Sequence, residues 1–367
     1  MKVLFSSVIF ENPLPQLRSL GSAFPGMCAL PDGKILAAHQ MGQAFESVDG
    51  TTCISVSENG GESWSNPLKA FDKSSESVPM TDCSKPTLLP DGRVMLFGYQ
   101  FFRHDPELPL GNPETGGLLP DEIFYSISDD MGKSWSERVS VGCAWRNSVE
   151  ASAPITVLAD GSWASPITGF PKWDGSSAGR NCGRLIRSYD GGKTWNDDVV
   201  CTAFPNDEVT CYEQRMCQTD DGTIAVVSWN ENIRTGERMN NHIALSRDNG
   251  KTFSAPIDTG IHGQATSILA LGGTRVMTVH AIRRDTDEPG IYIAISDIAD
   301  GGFKLLSIEK LWSPNTPVIK NAKMAEIFSF LKFGQPSAIK LSDGSFLMCH
   351  WTCEDGVYKT VATKFKL

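Results

Sequence analysis

Six turns of one kind punctuate this 367-residue chain, and the residues about eight positions to either side of them could do chemistry. The turns are Leu30-Pro31-Asp32-Gly33, Leu89-Pro90-Asp91-Gly92, Leu158-Ala159-Asp160-Gly161, Thr219-Asp220-Asp221-Gly222, Leu271-Gly272-Gly273-Thr274 and Leu341-Ser342-Asp343-Gly344. The flanking pairs are Phe24 and Gln40, Cys83 and Tyr99, Ser152 and Thr168, Glu213 and Trp229, Gln264 and His280, and Gln335 and Trp351. This set is polar, aromatic and short of bulky aliphatics. Brought together, it would suit a saccharide, with rings to stack on the sugar face and amides to bond its hydroxyls. Glu213, at the start of an inner strand, is the residue best placed to move a proton.

Cations and imidazoles lie near the same strand ends. Arg103-His104 follows the second hairpin, Arg283-Arg284 the fifth, and Arg234 and Arg238 belong to the fourth unit's loop. His39, His262 and His280 sit close to strand ends. The candidate substrate-binding residues are thus Gln40, Tyr99, Arg103, Trp229, His262, Gln264, His280, Arg283, Gln335 and Trp351. Two long insertions, residues 100–122 and 170–184, fall where loops over a site would be expected.

Asp-Gly between apolar runs is a strong hairpin signal, so each turn should join two strands. A second repeat interleaves with it. Ser57-Glu58-Asn59-Gly60-Gly61-Glu62-Ser63-Trp64, and the segments Ser128 to Trp135, Ser188 to Trp195 and Ser246 to Phe253, share a Ser-x-Asp/Asn-x-Gly-x-Ser/Thr-aromatic pattern after an alternating strand. There the Asp or Asn can bond its own turn and the aromatic can plug the space beneath, which is a structural role. Six units of about sixty residues, each two hairpins, predict an all-β fold: a six-bladed β-propeller of four-stranded antiparallel blades forming a single domain over residues 1–367. Only Ala322 to Leu331 reads as helical, for a turn or two, and the strand Val3 to Phe10 should close the ring against Thr360 to Phe365.

These Ser-x-Asp-x-Gly-x-Thr-Trp turns resemble the Asp-boxes of the sialidase superfamily, and the resemblance covers nearly the whole chain. It implies an active site at one end of the propeller axis. In sialidases a Glu that activates a Tyr nucleophile stands eight residues before the fourth hairpin's Asp, the position of Glu213 relative to Asp221. A catalytic carboxylate precedes the first Asp-box strand, which points to Glu46 or Asp49; Asp49-Gly50 also fits an ordinary turn, leaving Glu46 the better candidate. Other features depart from the family. The opening Arg-Ile-Pro is Phe24-Pro25-Gly26, the Arg expected eight residues after Asp221 is Trp229, and the Tyr expected eight before Asp343 is Gln335. These substitutions argue against a conventional sialidase, because they remove guanidinium contacts to a carboxylate together with the nucleophile.

With 33 Lys and Arg against 43 Asp and Glu, a net charge of −10 and no basic block, the chain is a poor candidate for nucleic acid. No apolar run approaches the ~18 residues of a membrane-spanning helix. Met1 to Phe10 lacks the cleavage site of a secretion signal, and ten scattered cysteines without zinc spacing suggest free thiols in a reducing cytoplasm, no metal and no cofactor. The reading that follows is a cytoplasmic glycosidase-like enzyme acting on a small carbohydrate, acidic or neutral. A lyase using His or Tyr99 as base, and a non-catalytic binding propeller, are the alternatives.

Overall fold

The computed structural model describes residues 1–315 and 332–367, and in it six antiparallel blades form a propeller. Ala322 to Leu331, expected to be helical, lies outside the described residues. Blade 1 runs outward through Gly21–Ala29, Ile35–Gly42, Thr51–Ser57 and Leu68–Lys69, and blade 2 through Met80–Leu88, Val94–Phe102, Asp121–Ser128 and Val139–Val141. In blade 3 the innermost strand is broken into Val149–Glu150 and Thr156–Val157, both paired to Trp163–Gly169. Blade 4 has Tyr212–Gln218 innermost and Ile224–Trp229 next, blade 5 has Gln264–Gly272 and Arg275–Ile282, and blade 6 has Phe333–Lys340 and Phe346–Glu354. The ring closes as the sequence predicts: Lys2–Phe10 becomes the outer strand of blade 6, with Val3 opposite Phe365 and Phe10 opposite Thr360.

Both repeats form for the expected local reasons. In the Asp-Gly turns the glycine adopts a positive φ (83° at Gly33, 85° at Gly222), and the Asp side chain accepts the N–H two residues on, as in Asp32 to Lys34 at 3.1 Å. In the outer turns a buried serine is the pivot. Ser188 Oγ donates to Asp190 Oδ1 (2.9 Å) and accepts the Gly192 N–H (2.8 Å), while Asp190 also accepts the Thr194 N–H and hydroxyl. These bonds, from the Thr194 hydroxyl first, hold the Asp190 carboxyl down at about 2. Between blades the core is apolar: Phe97, Ile123, Val149, Trp163 and Ile167 pack in one cluster, and Leu36, Val94, Leu96 and Phe124 in another. Each such side chain contributes about 1.5–3 kcal/mol by leaving water. All ten cysteines are free, nine of them buried and Cys143 half-buried.

The innermost strands are not regular at the axial end. The register shifts between Ala23 and Gly26, Tyr212 and Arg215, Gln264 and Thr266, and Gly334 and Ser337. At each shift one non-glycine residue has a left-handed backbone: Phe24 (φ 52°), Glu213 (44°), Ala265 (49°) and Gln335 (43°). These are β-bulges, which re-aim side chains at the end of a strand.

Replacing Ser188 by Ala removes the only side-chain acceptor shown for the Gly192 N–H. Urea unfolding should show a loss of about 1–3 kcal/mol with an unchanged m-value. Wild-type stability in that variant would mean the turn is not held by its serine.

Candidate active site

Three of these bulges, at Phe24, Glu213 and Gln335, open onto a cavity of about 230 Å³ on the propeller axis. Phe24, Gln40, Cys83, Tyr99, Glu213, Trp229, Gln335 and Trp351 all line it, so the flanking pairs of blades 1, 2, 4 and 6 converge as the spacing predicts. The half-buried Glu213 is the hub. Its Oε2 accepts the Trp229 indole N–H at 2.8 Å, its Oε1 accepts the Gln335 amide, and its backbone N–H donates to Glu150 Oε2 at 3.0 Å. With both oxygens accepting N–H bonds, the Glu213 side chain is fixed in place at the cavity wall.

Glu46 enters the cavity from blade 1, opposite blade 4 on the ring. Burial raises its carboxyl above the ordinary range, against opposing contributions from a Leu110 backbone hydrogen bond and the Arg103 guanidinium. A raised carboxyl is suited to hold a proton for donation. Asp49 takes the turn role instead: it is exposed, and its Oδ1 accepts the Gln43 N–H at 3.1 Å.

Two aromatic groups form the walls. Phe45 lies 5.0 Å from Phe24, 5.3 Å from Trp351 and 5.3 Å from Tyr358, ring centre to ring centre. On the other side Tyr99, Phe170, Tyr212 and Trp229 are linked by centroid distances of 6.4, 6.1 and 5.1 Å. The cavity residues Glu46 (Oε1), Gln335 (Oε1), Arg283 (Nε) and Trp351 (Nε1) each carry a buried polar atom without a partner among the described residues. Such atoms are satisfied by water or a bound molecule.

Several candidates sit elsewhere. Arg103 is buried beside the cavity as a brace, donating to the carbonyls of Glu46 (2.9 Å) and Leu108 (2.8 Å) and to Thr81 Oγ1 (3.1 Å). His280 is buried with its nitrogens on Asn241 Oδ1 (2.9 Å) and Thr278 Oγ1 (2.7 Å), and burial takes its pKa down to about 3. Gln264 is buried outside the lining, and Ala265 takes the bulge in its place. The fifth turn is Gly272-Gly273, and counting eight back from Gly272 instead of Gly273 slips the register by one, which puts a side chain on the opposite face. His262 is half-buried, 3.4 Å from Asp285. Arg283 does line the cavity, donating to the Phe333 carbonyl, and Arg284 stacks over Trp229 at 5.8 Å.

Glu150 and Tyr212 also line the cavity and were not anticipated; Glu150 in particular reads from sequence as an unremarkable loop residue. It is buried in the broken inner strand of blade 3, accepting the N–H groups of Ser152 (2.9 Å) and Glu213. Tyr212 faces the cavity together with its neighbour Glu213 because the left-handed bulge interrupts strand alternation. Burial raises the Tyr212 phenol above its ordinary range.

No family model matches the chain, and no curated protein sequence matches it. Solved structures do. A Dyadobacter fermentans protein of unknown function superposes with a TM-score of 0.76 at 17% identity, covering 100% of this chain and 99% of that one. The NanB sialidase of Streptococcus pneumoniae gives 0.68 at 12% identity, covering 98% and 70%. An α-L-arabinanase of Penicillium chrysogenum, solved with arabinobiose, gives 0.65 at 14% identity, covering 100% and 99%. The fold is that of the sialidases. It is shared with an arabinanase, so the sialidase-like propeller here carries no single substrate with it. No helix among the described residues is long and apolar enough to cross a membrane.

Asp121, fully buried, accepts the Val149 N–H at 2.9 Å, and burial raises both its carboxyl and that of Glu150. The folded chain therefore retains these protons at pH values where the unfolded chain has lost them, so stability falls as pH rises from the ordinary carboxyl range towards the raised values. The double variant Asp121→Asn, Glu150→Gln should flatten the fall in stability as pH rises above the ordinary carboxyl range, relative to wild type. An unchanged profile would show that both carboxyls ionise in the folded protein.

Proposed function

We propose that the protein hydrolyses the glycosidic bond of a small oligosaccharide or glycoside bound in the axial cavity, with Glu213 and Glu46 as the working carboxylates. The supporting observation is the fixed Glu213 carboxylate facing a cavity that also holds a raised carboxyl, Glu46, from the opposite blade. Glu46 gives its proton to the departing glycosidic oxygen. Glu213 either attacks the anomeric carbon itself, forming a glycosyl ester that water then hydrolyses, or takes a proton from the water whose oxygen attacks that carbon, and the configuration of the released sugar distinguishes the two. The aromatic walls stack on the sugar, and Gln40, Gln335, Trp351 and Arg283 bond its oxygens. The fold shared with a sialidase and an arabinanase supports carbohydrate chemistry at this place. A lyase relying on a histidine base has less support, since His280 is engaged in the core and His262 lies outside the lining.

A panel of aryl glycosides with product analysis tests the reading. On whichever glycoside is cleaved, Glu213→Gln and Glu46→Gln should each lower turnover by roughly 10²–10⁴-fold with little change in folding. Near-normal turnover in both would remove the assignment. Sialosides should be poor members of the panel, since Phe24, Trp229 and Gln335 replace two guanidinium groups and a nucleophile. Brisk release of sialic acid would show that Arg283 and its neighbours rebuild that recognition.

A further inference from the structure

The insertions of blades 2 and 3 are docked on each other over the cavity. Leu118 forms a parallel bridge with Lys172, and its N–H donates to the Pro171 carbonyl at 3.0 Å. The Trp173 carbonyl accepts both Asn112 Nδ2 (2.9 Å) and Thr115 Oγ1 (2.7 Å). At the centre of this contact is Gly117, where a Cβ would lie 1.8 Å from the Lys172 carbonyl oxygen and 2.6 Å from its carbon. Both clashes are with backbone, so only glycine permits the approach. Leu110, Gly116 and Leu118 from one insertion and Phe170 and Pro171 from the other form part of the cavity lining. Arg103 joins the first insertion, at Leu108, to the backbone of Glu46.

From this geometry we infer that the two insertions work as one size-limiting wall, closing the blade 2 and blade 3 side of the cavity against longer or branched saccharides. The inference rests on the glycoside reading above. Loops usually bring adaptability; here three hydrogen bonds, the Leu118–Lys172 bridge and the close approach of Gly117 to Lys172 make a fixed surface, and Gly117 is the position through which it can be undone.

The test compares wild type, Gly117→Ala, and a chain in which residues 104–119 are shortened to Asn-Gly, which leaves Phe101 paired with Asp121. Hydrogen exchange at residues 108–119 reports whether Gly117→Ala releases the wall. The probes are methylumbelliferyl glycosides carrying one, two and three units of the sugar that the panel identifies, followed by binding and by hydrolysis. Wild type should favour the shortest, and the variants should narrow that preference, measured as a ratio of kcat/KM values, by about tenfold or more. If wild type cleaves these glycosides and both variants keep its size preference, the wall inference fails alone. If wild type neither binds nor cleaves any member of the aryl glycoside panel, the glycoside reading fails and the wall fails with it.

Discussion

A left-handed residue in the middle of a β-strand costs of order 1–3 kcal/mol and persists only where its surroundings hold it. Here four of the innermost strands carry one, and a polar side chain of an adjacent blade bonds the backbone at, or two residues before, each of them. Lys85 donates to the carbonyls of Phe24 and Pro25, Glu150 accepts the Glu213 N–H, Asn241 donates to Gly263 beside Ala265, and Arg283 donates to Phe333 beside Gln335. The neighbouring glycines show how close these approaches are. A Cβ on Gly334 would fall 2.2 Å from Arg283 Nη1, and one on Gly26 would fall 2.7 Å from Lys85 Cδ. The cavity therefore depends on contacts that run between blades, while each blade's own ladder supplies only the scaffold.

That dependence explains what could be read from sequence. The turns are local: Asp-Gly and the Ser-to-aromatic loops form from residues within eight positions of each other, so blade number, ring closure and the rim of blades 1, 2, 4 and 6 follow from spacing. Glu213, Trp229 and Gln335 were reachable in this way, since their strands keep a constant length between turn and bulge. The remaining blades break the count. In blade 3 the inner strand is interrupted between Glu150 and Thr156, so Ser152 falls in an irregular stretch and Glu150 takes the cavity. In blade 5 a Gly-Gly turn replaces Asp-Gly, and one residue of slip exchanges Gln264 for Ala265. The partners of buried charges are not local either: no pattern near Arg103 indicates that its guanidinium will brace Glu46 from 57 residues away.

The bonds to Glu213 bear on what chemistry survives in this cavity. Both donors to its oxygens are neutral, an indole and a carboxamide, so they orient the carboxylate without cancelling its charge. The nearby cations, Lys85 and Arg283, feel that charge through the protein while their own hydrogen bonds go to backbone carbonyls. Charge is thus balanced at a distance and the Glu213 oxygens keep lone pairs directed at the cavity. Trp229 thus serves twice, donating to Glu213 and adding a ring to the aromatic wall beside Tyr212.

The wall over blades 2 and 3 follows the same logic at one remove. Its docking contact is between backbones, Gly117 on Lys172, and so leaves side chains such as Leu110, Leu118 and Phe170 free to set the shape of the cavity. Through Arg103 and Leu110 the first insertion also reaches Glu46, whose carboxyl is raised by burial in that enclosed corner. Opening the wall would admit water to Glu46 and lower its tendency to hold a proton. The loops proposed to bound the substrate are therefore also the ones whose enclosure raises the Glu46 carboxyl, and on that proposal a change in either loop alters the cavity's shape and the Glu46 environment together.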